Sequence, residues 1–373
     1  MSAPDEPNLV ALLAAVRAEQ GAVPLPPRFV RAPHEPLAAW RAEIAQARTI
    51  ADARAVQHRD IVDRMSARLF GATLADVLPE PEVELLRTAF SVPVPSGAQL
   101  ADLVPSLAGT APRGPAPRST AEVRSEVRVR VTATRTARRL VIRLHGGAFW
   151  MGGGPVAERV DARLVSHIAT TTDAAVLDID HRLAPEHPYP AAVVDTLCVL
   201  DAVRAGHARI DADPRSLVLL GSSSGANIAT LAARADALRE PDAPLAGLAL
   251  VVPSVLLSEA PPALKDDPDA WASRLDQLRG YLGLDIDPHD PWVSPAAEPE
   301  LSGMPPTFAA VAEYDEIAVG GTQLCAAIAA GGSFAEARIY PMTHTTATPE
   351  TEASVIRDTA AFLRDRLDAA PER

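Results

Sequence analysis

A serine between two glycines has the residue types and spacing to act as a nucleophile. Residues 221–225 read Gly-Ser-Ser-Ser-Gly, after the apolar run 217–220 and before a helical pattern. Between a strand and a helix this sequence forms a tight turn, because a Cβ at either glycine would clash as the chain reverses. The turn would expose the Ser223 hydroxyl at the start of the helix, where free N–H groups favour negative charge. We predict that Ser223 is a nucleophile; a turn of small residues without chemistry is the alternative.

A glycine-rich loop earlier in the chain could stabilise the negative charge that such a nucleophile creates. Residues 145–150 read His-Gly-Gly-Ala-Phe-Trp and follow an apolar run. Attack on a carbonyl needs two or three N–H donors aimed at one oxygen, and glycine lets the backbone come close to that oxygen. The predicted donors of this oxyanion hole are the backbone N–H groups of Gly146, Gly147, Ala148 and Ser224. We interpret His145 as structural, because it precedes the nucleophile in the chain.

A serine nucleophile also needs an imidazole base and a carboxylate, in the chain order serine, acid, histidine. Two later apolar runs lead into Asp315 and His344, respectively. We predict that His344 takes the proton of Ser223 and returns it to the leaving group, while Asp315 fixes the tautomer of the imidazole. Glu313 and Glu316 are competing acids, and the place of Asp315 just past the strand end favours Asp315. An ordinary loop histidine is the alternative reading of His344.

The elements that must position these residues follow a repeated strand–helix pattern. Short apolar runs typical of buried strands occupy residues 140–144, 175–179, 217–220, 248–252, 308–311 and 337–340. Helical patterns separate most of these runs. Alternating β and α elements with continuously apolar strands indicate an α/β fold, with a mostly parallel sheet covered by helices on both faces. Val127, Val129 and Val131 alternate with arginines, which predicts a half-exposed edge strand.

Two regions of the chain fall outside this pattern. Residues 1–112 contain a long helical pattern without proline, and we expect an N-terminal helical region there that forms part of a cap. A Pro/Gly-rich stretch at 110–117 is interpreted as a linker. Residues 255–303 separate two strands and carry a helical apolar stripe, so we predict an insertion above the sheet that completes the cap. The segments 113–254 and 304–373 are then the two parts of the core.

Composition excludes several kinds of chemistry. The net charge of the 373-residue chain is −13, so no basic surface for nucleic acid is expected. Lys265 is the sole lysine, which removes the Gly-Lys-Ser/Thr of a P-loop and leaves one candidate for a Schiff base. Cys198 and Cys325 lie in apolar helical patterns and are expected to be buried free thiols. The glycines at 152–154 do not fit a dinucleotide-binding sequence. We expect no cofactor.

No metal site and no membrane segment are expected. His181 and His187 flank Glu186, but their spacing is not the His-Glu-x-x-His of zinc enzymes. The N-terminal residues contain no positive segment before a long apolar run. The longest apolar run, 245–257, is interrupted by Pro253 and is too short to span a bilayer. We therefore expect a soluble cytoplasmic protein without nucleic-acid partners, and the sequence leaves a homodimer open.

Taken together, these motifs resemble the hormone-sensitive-lipase-like group of α/β-hydrolases, which contains bacterial carboxylesterases and arylacetamide-deacetylase-like enzymes. The resemblance runs from about Arg138 to Arg366. It rests on the motifs at 145–150, 181–192 (His-Arg-Leu-Ala-Pro-Glu-His-Pro-Tyr-Pro-Ala-Ala), 221–225, 302–306 (Ser-Gly-Met-Pro-Pro), 313–315 (Glu-Tyr-Asp) and His344. The resemblance implies an α/β-hydrolase fold with an eight-stranded, mostly parallel sheet. It also implies a helical cap built from the N-terminal region and the insertion.

The chain departs from this group at several positions. Ser222 precedes the nucleophile where the group usually has aspartate, and His181 stands where tyrosine is usual. Glu-Ile-Ala-Val follows Asp315 in place of Pro-Leu-Arg-Asp, and Thr-Thr follows His344 in place of Gly-Phe. The N-terminal region is also longer than is typical. These differences alter the pocket wall and the surroundings of the reacting groups without removing any of them.

The residues and the resemblance together predict a serine carboxylic-ester hydrolase that acts on a small-molecule ester with a small or medium acyl group. A biosynthetic α/β-hydrolase that performs lactonisation, acyl transfer or cyclisation with the same serine is an alternative, suggested by the long N-terminal region and the altered loops. A less favoured alternative is a non-catalytic ligand receptor on this scaffold. The plant gibberellin receptor is such a protein, but it lacks the histidine that His344 provides here.

Overall fold

The computed structural model describes residues 6–21, 26–95, 97–113, 126–207, 212–213, 216–258 and 268–369. Lys265 and the second half of the expected linker at 110–117 lie outside these residues. The helices are α1 (Pro7–Gln20), α2 (Leu37–Phe70), α3 (Leu74–Val77), α4 (Leu100–Leu103), α5 (Pro155–Val160), α6 (Ala162–Thr171), α7 (Ala191–Arg204), α8 (Ser224–Arg239), α9 (Pro268–Leu282), α10 (Ala318–Ala330) and α11 (Pro349–Ala369). The strands are β1 (Leu86–Pro93), β2 (Glu126–Ala133), β3 (Arg139–Leu144), β4 (Ala174–Asp180), β5 (Leu217–Ser222), β6 (Gly247–Val251), β7 (Thr307–Ala312) and β8 (Ala335–Tyr340).

The strands form one eight-stranded sheet in the order β1-β2-β4-β3-β5-β6-β7-β8. Strands β3 to β8 pair in parallel, whereas β2 is antiparallel to both of its neighbours. The predicted α/β-hydrolase fold with a mostly parallel sheet is therefore confirmed. Because the carboxyl ends of parallel strands meet at one edge of a sheet, the loops after β3, β5, β7 and β8 share that edge. These four loops carry every predicted site residue.

The two faces of the sheet explain why the central strands are largely apolar. Along β3, Val141 packs with α6 and α11 on one face, while Leu140 and Ile142 pack with α7 and α8 on the other. Successive side chains of a strand point to opposite faces, so a strand covered on both sides has no position left for a solvent-facing residue. The continuous apolar runs of the sequence reflect this double cover.

The start of the sheet differs from the sequence-based expectation. The strand containing Val127, Val129 and Val131 was expected at an edge, and this is wrong, because β1 pairs along its whole length. Strand β1 also lies within residues 1–112, so the region expected to be helical contributes a strand to the sheet. The side chains of β1 are mostly exposed. Its position therefore depends on backbone hydrogen bonds to β2, which leave little apolar pattern in the sequence.

The long helix α2 lies against the core through two apolar contacts. Near its start, Trp40 and Ile44 cluster with Trp150 of the loop after β3. Toward its end, Ile61, Val62 and Met65 cluster with α1. At 34 residues the helix is roughly 50 Å long, long enough to cross the whole edge that carries the predicted site. No helix of the described residues, α2 included, combines the length and apolar character needed to cross a membrane.

The insertion between β6 and β7 contains α9, whose end packs against the loop after β3. The Tyr281 ring stacks on Phe149, with 3.8 Å between ring centroids. The backbone N–H of Tyr189 donates to the Tyr281 carbonyl at 2.7 Å. One turn earlier in α9, Asp276 accepts a hydrogen bond from the Phe29 N–H, also at 2.7 Å. The N-terminal region and the insertion therefore contact each other as well as the core.

Candidate active site

The turn between β5 and α8 places Ser223 in a strained backbone conformation. Its φ of 53° lies in the left-handed region, which is uncommon for a residue other than glycine. A Cβ on Gly221 would come within 2.5 Å of the Ala226 Cα, and one on Gly225 within 2.3 Å of the Leu144 carbonyl oxygen. Both glycines are therefore required by sterics, as the sequence pattern predicts. The turn presents the serine side chain at the carboxyl edge of the sheet.

Ser223, His344 and Asp315 form a continuous chain of hydrogen bonds. The Ser223 Oγ lies 2.9 Å from Nε2 of His344, and Nδ1 of His344 lies 2.6 Å from Oδ2 of Asp315. A carboxylate can only accept, so Nδ1 carries the proton and Nε2 is left free to accept the serine hydroxyl hydrogen. The Asp315 side chain is 2% exposed, while that of His344 is 34% exposed. The carboxylate is thus shielded from water, and the imidazole faces the open side.

The loops after β7 and β8 hold the acid and the imidazole together. The backbone N–H of Glu313 donates to the Tyr340 carbonyl, and that of Tyr314 donates to the Met342 carbonyl. The two loops therefore run side by side beyond the sheet. Of the three acids considered from the sequence, Asp315 is the one placed against His344. Glu313 is exposed at the surface and Glu316 is partly exposed.

The loop after β3 packs directly on the nucleophile. A Cβ on Gly146 would lie 3.2 Å from the Ser223 Cβ, so the bare backbone of the loop faces the serine. Gly147 has φ of 127°, and its carbonyl accepts hydrogen bonds from the N–H groups of Trp150 and Met151, both at 3.0 Å. Ala148 also has positive φ, at 49°. Strained backbone of this kind is typical of loops that aim N–H groups at a ligand.

The predicted donors are available for a bound oxygen. Among the hydrogen bonds between described residues, none uses the N–H of Gly147, Ala148 or Ser224. Ser224 begins α8, where the N–H groups of a helix have no intrahelical acceptor. The structure therefore places Gly146 against the nucleophile and Ser224 next to it in the chain, and the roles of Gly146, Gly147, Ala148 and Ser224 as donors stay a prediction.

Behind this loop, His145 and His181 form a buried stacked pair. Their ring centroids are 4.2 Å apart and the rings are nearly parallel. Nδ1 of His145 lies 2.7 Å from the Gly146 carbonyl oxygen, and within the described residues neither Nε2 has a hydrogen-bond partner. Burial, followed by repulsion from His181, holds the pKa of His145 well below its usual range. Burial also lowers the pKa of His181. His145 supports the loop and does not contact Ser223.

Besides its apolar contacts, α2 reaches these loops through the polar side chains of Arg48, Asp52 and His58, and sequence reasoning missed all three. Asp52 accepts a hydrogen bond from the Gly152 N–H at 2.8 Å. Arg48 donates to the Trp150 carbonyl and forms a two-pronged ion pair with Glu186, at 2.9 and 2.6 Å. His58 reaches the loop that carries the imidazole. Arg48 and Asp52 are four residues apart, so they share one helix face, which is the only signal that could have singled them out.

The other polar candidates of the sequence have partners elsewhere. Glu186 pairs with Arg48, and His181 stacks on His145. Within the part of the chain that the structure describes, no group of three or more His, Cys, Asp or Glu side chains could hold a metal ion. Both cysteines are free thiols; Cys325 is buried as expected, whereas the expectation of burial is wrong for Cys198, which is partly exposed. Burial raises the pKa of Cys198 to about 11 and that of Cys325 to about 12.

The sheet order, the strained turn and the chain order of Ser223, Asp315 and His344 together define an α/β-hydrolase. The sequence profile of the α/β hydrolase fold family matches residues 141–348, more than half of the chain. The chain therefore belongs to this family, and its motifs place it in the hormone-sensitive-lipase-like group.

Individual relatives carry esterase names. Esterase LipI of Mycobacterium tuberculosis is 34% identical over 200 residues, covering 52% of this chain and 60% of LipI. Carboxylesterase NlhH of the same species is 34% identical over 186 residues, covering 48% of this chain and 56% of NlhH. The chain thus matches less than two thirds of the length of these relatives. A solved ester hydrolase from the metagenome of Lake Arreo has a TM-score of 0.66 at 21% identity, covering 99% of this chain and 100% of that one, which shows likeness of fold.

Proposed function

We propose that this protein is a serine carboxylic-ester hydrolase in which Ser223 is the nucleophile, His344 the base and Asp315 the acid. The observation that carries the proposal is the hydrogen-bonded series from the serine hydroxyl through the imidazole to the buried carboxylate, beside unpaired backbone amides. Separate loops place these groups, and catalysis explains their convergence better than packing does. The esterase names of LipI and NlhH support an ester as the substrate class.

The acylation step follows from the geometry. The Ser223 oxygen attacks the ester carbonyl carbon while Nε2 of His344 takes the hydroxyl proton. The carbonyl oxygen becomes an oxyanion that accepts hydrogen bonds from the N–H groups of the loop after β3 and of Ser224. Asp315 stabilises the imidazolium through Nδ1–H. The tetrahedral intermediate then collapses, its bond to the leaving oxygen breaks, and His344 gives its proton to that oxygen. The alcohol leaves and an acyl-serine remains.

Deacylation repeats the same steps with water. His344 takes a proton from water, the hydroxide attacks the acyl carbon, and the proton returns to the Ser223 oxygen as the acid leaves. The imidazole side chain is one-third exposed, which leaves it open to the solvent. Lactonisation, acyl transfer or cyclisation by the same serine would use another nucleophile in place of water, and the esterase names of LipI and NlhH favour hydrolysis. An intact imidazole also argues against a purely ligand-binding role. No cofactor enters any step.

We propose that residues 1–112, apart from β1, and 255–303 form a cap over this site, with 113–254 and 304–373 as the core. The contact of Tyr281 with Phe149 supports this division, because Phe149 lies in the loop after β3 (residues 145–154), which we call the amide loop. The hydrogen bond between Phe29 and Asp276 also supports it. The aromatic rings of Phe149 and Tyr281 stack within and against the amide loop. They favour an ester with a small or medium acyl group.

Substitution of the nucleophile tests the proposal. We expect Ser223→Ala to lower kcat for a short-chain aryl ester by about 10⁶-fold, because the triad acts as a unit. A fluorophosphonate should label the wild-type protein and leave the Ser223→Ala variant unlabelled. Ser222→Ala, which removes the neighbouring hydroxyl, is the matched control and should still react. Ester turnover retained by Ser223→Ala, or equal labelling of that variant, would overturn the assignment.

A further inference from the structure

Helix α2 contacts both loops that carry the proposed reacting groups. Asp52 holds the loop after β3 through the Gly152 N–H, and Arg48 holds it through the Trp150 carbonyl. Six residues beyond Asp52, His58 contacts the loop after β8. Six residues of helix span about 9 Å. Helix α2 therefore links the amide loop to the loop after β8 (residues 341–348), which carries His344, from outside the sheet.

The contact made by His58 falls immediately after the catalytic imidazole. Nε2 of His58 lies 3.1 Å from the Thr345 carbonyl oxygen and 3.2 Å from the Thr346 Oγ1. A carbonyl oxygen can only accept, so the ring donates its N–H to Thr345. The Thr345 partner is a main-chain carbonyl, which any residue at that position would supply, whereas the Thr346 hydroxyl depends on the type of residue.

Before His344, this loop is tied to the loop after β7 through the Met342 carbonyl, and the His344 ring itself is bonded to Asp315. Beyond the imidazole, the turn is bonded mainly to itself. The Thr343 N–H donates to the Thr346 carbonyl at 2.9 Å, and the Thr346 N–H donates to the Thr343 hydroxyl at 3.1 Å. These bonds close a four-residue turn on itself and do not fix the turn relative to Ser223. His58 supplies a fixed point from another element, directly beside the backbone of His344.

The surroundings of His58 suit a neutral, fixed ring. Its Nδ1 lies 3.3 Å from the side-chain amide of Gln20 on α1, and the NH2 group of that amide is the donor that a neutral ring accepts from there. The adjoining Arg59 is paired with Asp63 and with Glu352 of α11. Burial, together with the charge of Arg59, lowers the pKa of His58 despite the opposing effect of the Thr345 carbonyl. The ring is held from two sides and has little freedom to rotate.

We propose that His58 is a positioning residue, which keeps the imidazole of His344 within hydrogen-bonding reach of Ser223. The proposal rests on the function proposed above. Catalysis by a triad needs the base within a few tenths of an ångström of its place, and an error of 1 Å can cost about 100-fold in rate. Through α2, the same contact keeps the imidazole at a fixed distance from the amides that receive the oxyanion.

Replacing His58 separates positioning from simple stabilisation. We expect His58→Ala to lower kcat for an aryl ester about 10- to 100-fold with KM changed less than about 2-fold, since the substrate does not touch His58. His58→Gln, whose amide N–H can still donate to the Thr345 carbonyl, should recover most of kcat. Arg64→Ala is the control on the same helix, because it removes only an exposed ion pair with Glu19. It should leave kcat unchanged.

A spectroscopic readout makes the test independent of turnover. The Nδ1 proton between His344 and Asp315 should give a low-field proton resonance, and we expect His58→Ala to shift or broaden it while Arg64→Ala does not. If His58→Ala fails to fold, Thr346→Val removes one partner of the ring with little change of shape and should show the same effects more weakly. Wild-type kcat with an unshifted resonance in folded His58→Ala would overturn the proposal. Absence of esterase activity in the wild type would overturn the proposed function, and the resonance would still report on His58.

Discussion

Gly225 carries the tightest steric constraint at the nucleophile turn. A Cβ at this position would lie 2.3 Å from the Leu144 carbonyl oxygen and 2.4 Å from that of His145. Neither oxygen can move without displacing the amide loop. We expect Gly225→Ala to lower the free energy of unfolding by about 1–3 kcal/mol, as overpacking does, and to slow the labelling of Ser223 by a fluorophosphonate at least tenfold. Urea denaturation and labelling kinetics measure the two effects.

Gly303 offers a matched control for this substitution. Its φ is 73°, and a Cβ there would meet nothing within 4 Å. Gly303→Ala therefore introduces backbone strain without a clash, and we expect it to lower the free energy of unfolding by about 1 kcal/mol with normal labelling of Ser223. If a fluorophosphonate labelled Ser223 in Gly225→Ala at the wild-type rate, the amide loop would be shown to tolerate the added methyl group.

At the scale of single residues, the sequence predicts those groups whose position follows from backbone chemistry. Two glycines around a serine require one kind of turn, and chain order then places Asp315 and His344 after the right strands. The side chains of α2 could not be found in this way. Asp52 and His58 are single polar residues in a helix that also has an exposed polar face, so their sequence context is the same as that of solvent-facing residues. Only the packing of the helix assigns them partners.

At the scale of elements, the central strands can be predicted from the sequence, whereas the edge strand β1 cannot. Strands β3 to β8 are covered by helices or lie beside covered strands, and their apolar runs reveal them. Strand β1 is mostly exposed, so its sequence lacks that pattern, although it completes the sheet. The proline-free pattern within residues 1–112 predicts a long helix, but not the path of α2 across the loops, because no local pattern encodes which loops a long helix will meet.

The contacts of α2 predict coupling between the two loops that it touches. Asp52→Ala removes the acceptor of the Gly152 N–H, and we expect it to lower kcat about tenfold by freeing the amide loop. If α2 acts as one rigid support, the fold-loss of kcat in the double variant Asp52→Ala/His58→Ala should be smaller than the product of the fold-losses in the two single variants. Either change alone already lets the two loops move apart. Steady-state kinetics of the four proteins measure this coupling.

Two further variants test whether α2 acts as one rigid support for both loops. Asp52→Asn keeps an oxygen that can accept from Gly152 and should recover most of kcat. Arg64→Ala combined with Asp52→Ala should give independent, multiplying effects, since the ion pair of Arg64 with Glu19 lies on the surface. Equally independent effects of Asp52→Ala and His58→Ala would mean that α2 supports each loop separately.

At the scale of the whole molecule, buried ionisable groups set the response to acid. Four histidines have a pKa lowered chiefly by burial: His58, His145, His167 and His181. Three carboxyl groups have a pKa raised by burial: Asp52, Asp161 and Glu352. A lowered histidine pKa means that the unfolded chain binds a proton where the folded chain does not, so stability declines as pH falls below about 6.5. The raised carboxyl groups act in the opposite direction.

The stacked pair behind the amide loop should dominate the histidine effect, because both rings are buried and protonating one of them places a charge in the core beside the other. We expect His181→Tyr, which installs the residue usual in this group, to remove part of the acid sensitivity. Relative to the variant, the wild type should lose up to about 1.4 kcal/mol of unfolding free energy per pH unit below pH 6.5. Urea denaturation from pH 7.5 to pH 5 measures the difference, in which the carboxyl contributions cancel.

A control for packing keeps this prediction distinct from a general loss of stability. Ile168→Val, at a fully buried position of α6, should cost about 0.5–1.5 kcal/mol at every pH, because it removes a methyl group and no ionisable group. The difference in unfolding free energy between Ile168→Val and the wild type should stay constant with pH, whereas the difference between His181→Tyr and the wild type should change. A constant difference for His181→Tyr as well would mean that His145 and His181 do not couple the fold to pH, and that the acid response comes from the other buried groups.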